Sequence, residues 1–281
     1  MDLKERAAEI RKMIFKMAYR GGSGHLASAF SIVEILTVLY FGGILNIDPK
    51  NPDWAQRDKL ILSKGHASLA LYSVLGMKGF FPQKELQTFC KPGSEFGGEP
   101  RMGHIPGVEA TTGSLGHGLS FGVGIAMAHK MNGEANRTYV IIGDGECQEG
   151  SIWEAVIAAP HHKLDNLTVI LDNNRLQAMG KVEDILALRR LRESWENFGW
   201  GIATVDGHDI EKLCKCLDKD RQTEDGRPHL ICADTVKGKG VSFMESEPIW
   251  HYRMPNEQEL EIVLQDLGMT REELIQCEMN I

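Results

Sequence analysis

Tyr139-Val140-Ile141-Ile142-Gly143-Asp144-Gly145 and, further along, Leu167-Thr168-Val169-Ile170-Leu171-Asp172-Asn173-Asn174 decide the fold. Each opens with a short apolar run and ends in a polar turn, the pattern of a strand buried on both faces. The spacing predicts strands over 139–142 and 167–171 with a helix over about 151–161 between them. That is one strand-helix-strand passage, which returns the chain to the same edge of a parallel sheet. Both polar turns therefore fall beyond the carboxyl ends of strands, where open α/β sheets bind their ligands.

The alternation continues in both directions. Residues 59–62 read as a strand that runs into Ser63-Lys64-Gly65-His66, followed by a helix over 67–78. Helical patterns also occupy 3–19, stopped by Gly21-Gly22, and 114–131, whose glycines predict close packing. Ser31 has the character of an N-cap for a helix through Tyr40, with Glu34 completing a capping box. Strands over 203–205 and 229–235 flank a helix over 210–217, and helices over 256–267 and 271–277 follow. The expectation is an α/β fold with a central parallel sheet flanked by helices, one domain over 1–281. Residues 79–112 are too long and too rich in glycine and proline for a passive connection, which predicts a binding loop. The polar stretch 221–228 reads as a loop within that domain.

Composition narrows the function classes. A net charge of −8 without a basic tract argues against nucleic acid and anionic lipid as partners. No apolar run is long enough to cross a bilayer, so the expected location is cytoplasmic. Cysteines at 90, 147, 214, 216, 232 and 277 lack CxxC pairing and read as reduced thiols; Cys214 and Cys216 point in different directions on a helix. Gly116-His117-Gly118 lacks the preceding strand and the glycine spacing of a dinucleotide loop.

Either polar turn alone is an ordinary structural feature. Facing each other, they form a clamp: glycines admit phosphate oxygens close to the backbone, while Asp144 and Asn174 offer hard oxygen donors. Magnesium combines a few such donors with phosphate oxygens and water, so a metal diphosphate fits. Four histidines lie near glycines or in short loops: Ser23-Gly24-His25, Lys64-Gly65-His66, Met102-Gly103-His104 and Trp250-His251. Imidazoles can hydrogen-bond sugar hydroxyls and move protons near neutral pH. His117, His129, His161 and His162 have no comparable setting and read as helix residues.

Gly143-Asp144-Gly145 through Asn174 resembles the thiamine-diphosphate motif, and Gln148-Glu149-Gly150 with Trp153-Glu154-Ala155 resembles transketolases in particular. The likeness extends over most of the chain, including 57–67 and 107–116. It implies that Asp144, Asn174 and the backbone carbonyl of Leu176 hold Mg2+, with Ca2+ or Mn2+ able to substitute, and that Gly145 approaches the diphosphate. By the same resemblance His25, His104 and His251 contact the sugar, and His66 and His251 the diphosphate and reacting carbons. Gly113, Ser114 and Leu115 contact the cofactor, and Glu149 and Glu154 lie near a subunit interface.

Leu26-Ala27 and Tyr252-Arg253 depart from the residues that usually follow the first and last histidines of this family, which bears on the choice of substrate. Thiamine catalysis also needs a glutamate on the aminopyrimidine, which transketolases supply from a second α/β domain. No sequence for that domain follows here. The expectation is the diphosphate-binding subunit of a split transketolase, paired with a separate pyrimidine-binding chain in an α2β2 heterotetramer. It would transfer a ketol unit from a ketose, expected to be phosphorylated, to an aldose, in carbohydrate metabolism such as the pentose phosphate pathway. The alternatives are the cofactor half of a deoxyxylulose-phosphate synthase-like or ketoacid-dehydrogenase-like enzyme, and a noncatalytic cofactor-binding subunit.

Overall fold

The computed structural model describes residues 2–275. Among them, five parallel strands form one sheet: β1 (Lys59–Leu62), β2 (Thr138–Gly143), β3 (Leu167–Asn173), β4 (Gly201–Asp206) and β5 (His229–Asp234), in the order β1-β2-β3-β5-β4. The expected α/β architecture is present, and the apolar runs have a simple cause. Successive side chains of a strand point to opposite faces, and both faces here are covered. Tyr139 and Ile141 pack into a core with α1 (Leu3–Gly21), α3 (Val33–Phe41) and α4 (Ser68–Lys78), whereas Val140 and Ile142 pack beneath α5 (His117–Met131) and α6 (Gly150–His161). A strand buried on both sides has few positions to give to polar residues.

The remaining helices complete the layers. Helix α2 (Leu26–Phe30) precedes α3; α7 (Val182–Leu186) and α8 (Leu191–Asn197) lie between β3 and β4; α9 (Ile210–Gln222) joins β4 to β5; α10 (Glu257–Leu267) and α11 (Arg271–Ile275) follow the sheet. The expected continuation of the last helix to Cys277 lies outside the described residues. No described helix is long and apolar enough to cross a membrane.

The helix expected from a Ser31 N-cap through Tyr40 is present as α3, but it starts at Val33 and is capped differently. Ser31 ends α2, Ile32 precedes α3, and the expected capping box does not form. Long-range partners claim both side chains. The Ser31 hydroxyl donates to Asp172 at 2.7 Å, and Glu34 pairs with Arg11 at 2.8 Å and with His208 at 2.9 Å. Helix α5 starts at His117 rather than residue 114, because Gly116 before it is left-handed (φ 85°). Helix α9 runs to Gln222 and β4 spans Gly201–Asp206, both longer than expected.

At the amino ends of β3 and β5, the His229 ring lies between two carboxylates, 2.7 Å from Asp220 and 3.1 Å from Asp225. Asp220 also accepts a hydrogen bond from Thr168 at 2.7 Å. The bond to Asp220 raises the His229 pKa against the opposing effect of burial. A histidine pKa raised on folding adds stability that is complete below the unfolded value of about 6.5 and disappears as pH climbs through the native value. We therefore expect His229→Gln to flatten the pH dependence of the unfolding midpoint above about pH 6. A profile that keeps the wild-type slope there would refute this role.

Candidate active site

Parallel pairing puts Gly143 beside Asp172 and Asn173 beside Asp234, so the turns after β2 and β3 come together at the carboxyl edge of the sheet. Asp144 joins them. One carboxylate oxygen accepts from Gly145 N at 2.7 Å and the other from Arg175 N across the gap. Asn174 is fixed at both ends: its Oδ1 accepts from Leu176 N at 3.0 Å, and its Nδ2 donates to Asp172 at 2.8 Å. Asp144, Asn174 and Leu176 are all buried. Burial, reinforced by the nearby Asp172 charge, pushes the Asp144 carboxyl up to about 6.

Asp172 is fully buried and is the hub beneath these turns. Besides Ser31 and Asn174, it accepts from Lys64 Nζ at 2.5 Å and from the Thr235 hydroxyl. Lys64 and its neighbours hold the Asp172 pKa down although burial acts the other way. Lys237 is also buried, yet no carboxylate lies within ion-pair distance of it among the described residues. Its ammonium donates to the Leu176 carbonyl at 3.3 Å, to the Gln177 carbonyl at 3.4 Å and to His251 Nδ1 at 2.9 Å. Burial beside Lys64 lowers the Lys237 pKa to about 8. The Val236-Lys237 segment is held in turn by His208, which accepts from Val236 N at 2.8 Å and contacts Glu34 at 2.9 Å.

Three of the four expected histidines meet. His25, His66 and His251 have ring centroids 5.1 to 5.4 Å apart in every pairing. Burial first, then the charges of Lys237 and Lys64, lowers His25 to about 4. Burial and Lys237 lower His251 to about 3, and burial with Lys64 lowers His66 as well. The three rings are therefore neutral at physiological pH. Because Nδ1 of His251 accepts from Lys237, its ring proton resides on Nε2.

His104 is not in this group. It is over a third exposed and contacts Glu95, in a separate depression of about 400 Å³ with Pro92, Ile105 and Pro106. The reason is local. The left-handed Gly103 and Gly107 (φ 82° and 86°) bend this segment sharply, and Ile105 is buried while the neighbouring imidazole stays outside.

The loop at Gly113 rests on the loop at Gly65: a Cβ at Gly65 would lie 2.7 Å from Gly113 N. The Thr112 hydroxyl donates to Leu62 O at 2.7 Å, tying this loop to the end of β1. Ser114 is exposed and Leu115 half-buried, both just before α5. Glu149 caps α6 and Glu154 lies one turn later, both exposed. Glu146, which no sequence pattern singles out, is buried. Its carboxylate accepts from Ser63 Oγ at 2.5 Å, Gly116 N at 2.8 Å and Gly143 N at 3.1 Å, stapling together the ends of β1 and β2 and the turn before α5.

Among the described residues, no three His, Cys, Asp or Glu side chains gather as a metal cluster. The Asp144 set is of a different kind: one carboxylate, one amide oxygen and one carbonyl. Such a set leaves positions for phosphate oxygens and water, as Mg2+ prefers. A buried carboxylate with a raised pKa and a buried lysine without a carboxylate are both stabilised by a metal diphosphate. The residues present fit that group.

The chain matches the family described as transketolase, thiamine diphosphate binding domain, over residues 3–280. It is 40% identical over 264 residues to an apulose-4-phosphate transketolase subunit of Phocaeicola vulgatus, covering 94% of this chain and 93% of that one. It is 40% identical over 251 residues to the 6-deoxy-6-sulfo-D-fructose transketolase subunit SqwG of a Clostridium species, covering 89% and 90%. Among solved structures, the transketolase of Leishmania mexicana aligns with a TM-score of 0.91 at 26% identity, and that of Campylobacter jejuni with 0.90 at 32%. Each alignment covers 100% of this chain but only 43% and 45% of those longer proteins.

Proposed function

The chain belongs to the transketolase family and carries its thiamine-diphosphate-binding domain, and from that premise we propose that it is the cofactor-binding subunit of a transketolase built from two kinds of chain. In this reading it takes part in moving a ketol unit from a ketose, a phosphorylated one in the first instance, to an aldose. The observation that carries it is the convergence of three neutral imidazoles on one end of the Asp144 clamp, linked to it through Lys237. A diphosphate clamp alone has no need of them.

Asp144, Asn174 and the Leu176 carbonyl would hold Mg2+. Gly145 and Lys237 would face the diphosphate, and Gly113, Ser114 and Leu115 would line the rest of the cofactor. Thiamine diphosphate, when bound, supplies the carbon nucleophile that breaks and forms the C–C bond. His25 and His251 would orient ketose hydroxyls, and as neutral bases they would accept the hydroxyl proton released on C–C cleavage and return it on the reverse step. His66, buried beside Lys64, is assigned to the cofactor side. His104, turned to Glu95, is outside this assignment. Glu149 and Glu154 are exposed carboxylates that we assign to a subunit interface. The partner in this reading is a separate chain with the pyrimidine-binding domain, in an α2β2 assembly, and it brings the glutamate that acts on the aminopyrimidine.

The test is reconstitution with that partner and a ketol-transfer assay across ketose donors. Transfer is expected only from the pair, and His25→Ala is expected to lower kcat/KM by about 10²- to 10⁴-fold with cofactor affinity retained. Full activity from this chain alone would refute the two-chain assembly. Carbon dioxide release from pyruvate without ketol transfer would refute the reaction.

A further inference from the structure

The turn at Pro248–Tyr252, which carries His251, is fastened to the loop before α2 by side-chain contacts. Tyr252 Oη and Ser23 Oγ lie 2.7 Å apart, within hydrogen-bond distance. The Tyr252 ring leans on His25, with centroids 4.6 Å apart at 45°. His25 therefore stands between Tyr252 and the other two imidazoles, each 5.1 Å from it. Ser23, His25 and Tyr252 line a cleft of about 700 Å³, as do Arg101 and Thr111.

Tyr252 is 62% exposed, so its packing adds little to the core, yet its ring and hydroxyl are both engaged where it lines this cleft. With the hydroxyl committed to Ser23, the part of the side chain left for a cleft ligand is its apolar ring. A ketose whose reacting carbons sit against His25 and His251 must carry the rest of its chain outward past this wall.

We propose that Tyr252, anchored by Ser23, is a specificity-determining wall of the sugar cleft that limits how long a ketose donor the histidines can receive. This inference rests on the ketol-transfer reading and deepens it: the favoured donors are short-chain ketoses whose C–H face lies along the aromatic ring, with any terminal anion directed to the Arg101 side.

The experiment compares kcat/KM for a pentulose phosphate and a heptulose phosphate, using the enzyme reconstituted with its partner chain. Wild type is expected to favour the pentulose. Tyr252→Ala is expected to raise the heptulose-to-pentulose ratio at least about tenfold, since removing more than a methylene from a substrate wall typically shifts discrimination by that much or more. Tyr252→Phe and Ser23→Ala keep the ring but release its anchor, and are expected to move the ratio in the same direction by less. Thiamine diphosphate affinity, measured by titration, is expected to stay within about twofold of wild type in all three, because none of these side chains touches the clamp. An unchanged ratio in Tyr252→Ala with an active wild type would overturn the wall and leave the ketol-transfer reading standing. A wild type that transfers no ketol unit from any ketose would overturn that reading and the wall with it.

Discussion

Asp144→Ala is expected to weaken uptake of thiamine diphosphate with Mg2+ at least about 100-fold and to abolish activity at ordinary cofactor concentrations. Loss of a residue that merely orients a metal ligand typically lowers affinity about 10- to 100-fold, and Asp144 would be the ligand itself. The pH dependence gives a second signature. With its carboxyl raised to about 6 by burial and by Asp172, Asp144 is protonated in a growing share of molecules as pH falls below that value. A cation binds only the carboxylate, so cofactor affinity should decline on the acid side of about pH 6. His25 and His251, lowered to about 4 and about 3, remain neutral across this window and cannot produce the same decline.

The sign for stability is opposite. A carboxyl raised on folding stabilises the protein only below its unfolded value of about 3.9, and that contribution vanishes as pH climbs through the native value. The cofactor-free protein at neutral pH therefore carries the strain of an ionised, buried Asp144, and the bound cation relieves it. The increase in melting temperature caused by cofactor with Mg2+ should thus shrink as pH drops below about 6. An increase that is independent of pH, or an Asp144→Ala protein that still binds with wild-type affinity, would rule out the metal role of this residue.

Asp172→Ala is expected to destabilise the fold by about 3–5 kcal/mol, the range for breaking a buried ion pair by removing one partner. The large value follows from what remains. Lys64 would keep its ammonium, buried near that of Lys237, with only Ser28 O and Ser31 Oγ as partners among the described residues. Asn174 would lose the carboxylate that holds its amide, so cofactor affinity should fall as well. Removing both charges, in Lys64→Met with Asp172→Leu, should recover a substantial part of the stability, because no uncompensated charge is then buried. Denaturant unfolding of the three proteins measures this. A loss under about 1 kcal/mol in Asp172→Ala would show that Lys64 finds another partner or loses its proton.

Legibility followed sequence distance. The strands at β2 and β3 were readable because a doubly buried strand needs an unbroken apolar run, and their polar turns were readable because glycine, aspartate and asparagine are what such turns require. Glu146 follows the first turn and Asp172 stands in the second, but nothing local distinguishes a carboxylate that staples strands from one in solvent. Ser31 and Glu34 carried a sound local signal for a helix start. It lost to partners far away in the chain, since a buried hydroxyl or carboxylate is better satisfied by Asp172, Arg11 and His208 than by its own helix end. His104 shows the reverse. Its glycine-flanked setting matched the other histidines, but two left-handed glycines turn it toward Glu95.

By itself the sequence determined the parallel α/β fold, the meeting of the turns that hold Asp144 and Asn174, and the resemblance to transketolases, because each is written in residues adjacent in the chain or joined by a single strand-helix-strand passage. Tertiary structure alone decided which histidines meet, that Lys237 lies buried beside them with no carboxylate at ion-pair distance among the described residues, and that Asp172 holds Asn174 from below. The physical reason is that burial and charge act through space: the Lys64–Asp172 contact spans 108 residues, and the neutrality of His25 depends on burial and on two lysines far from it in the chain.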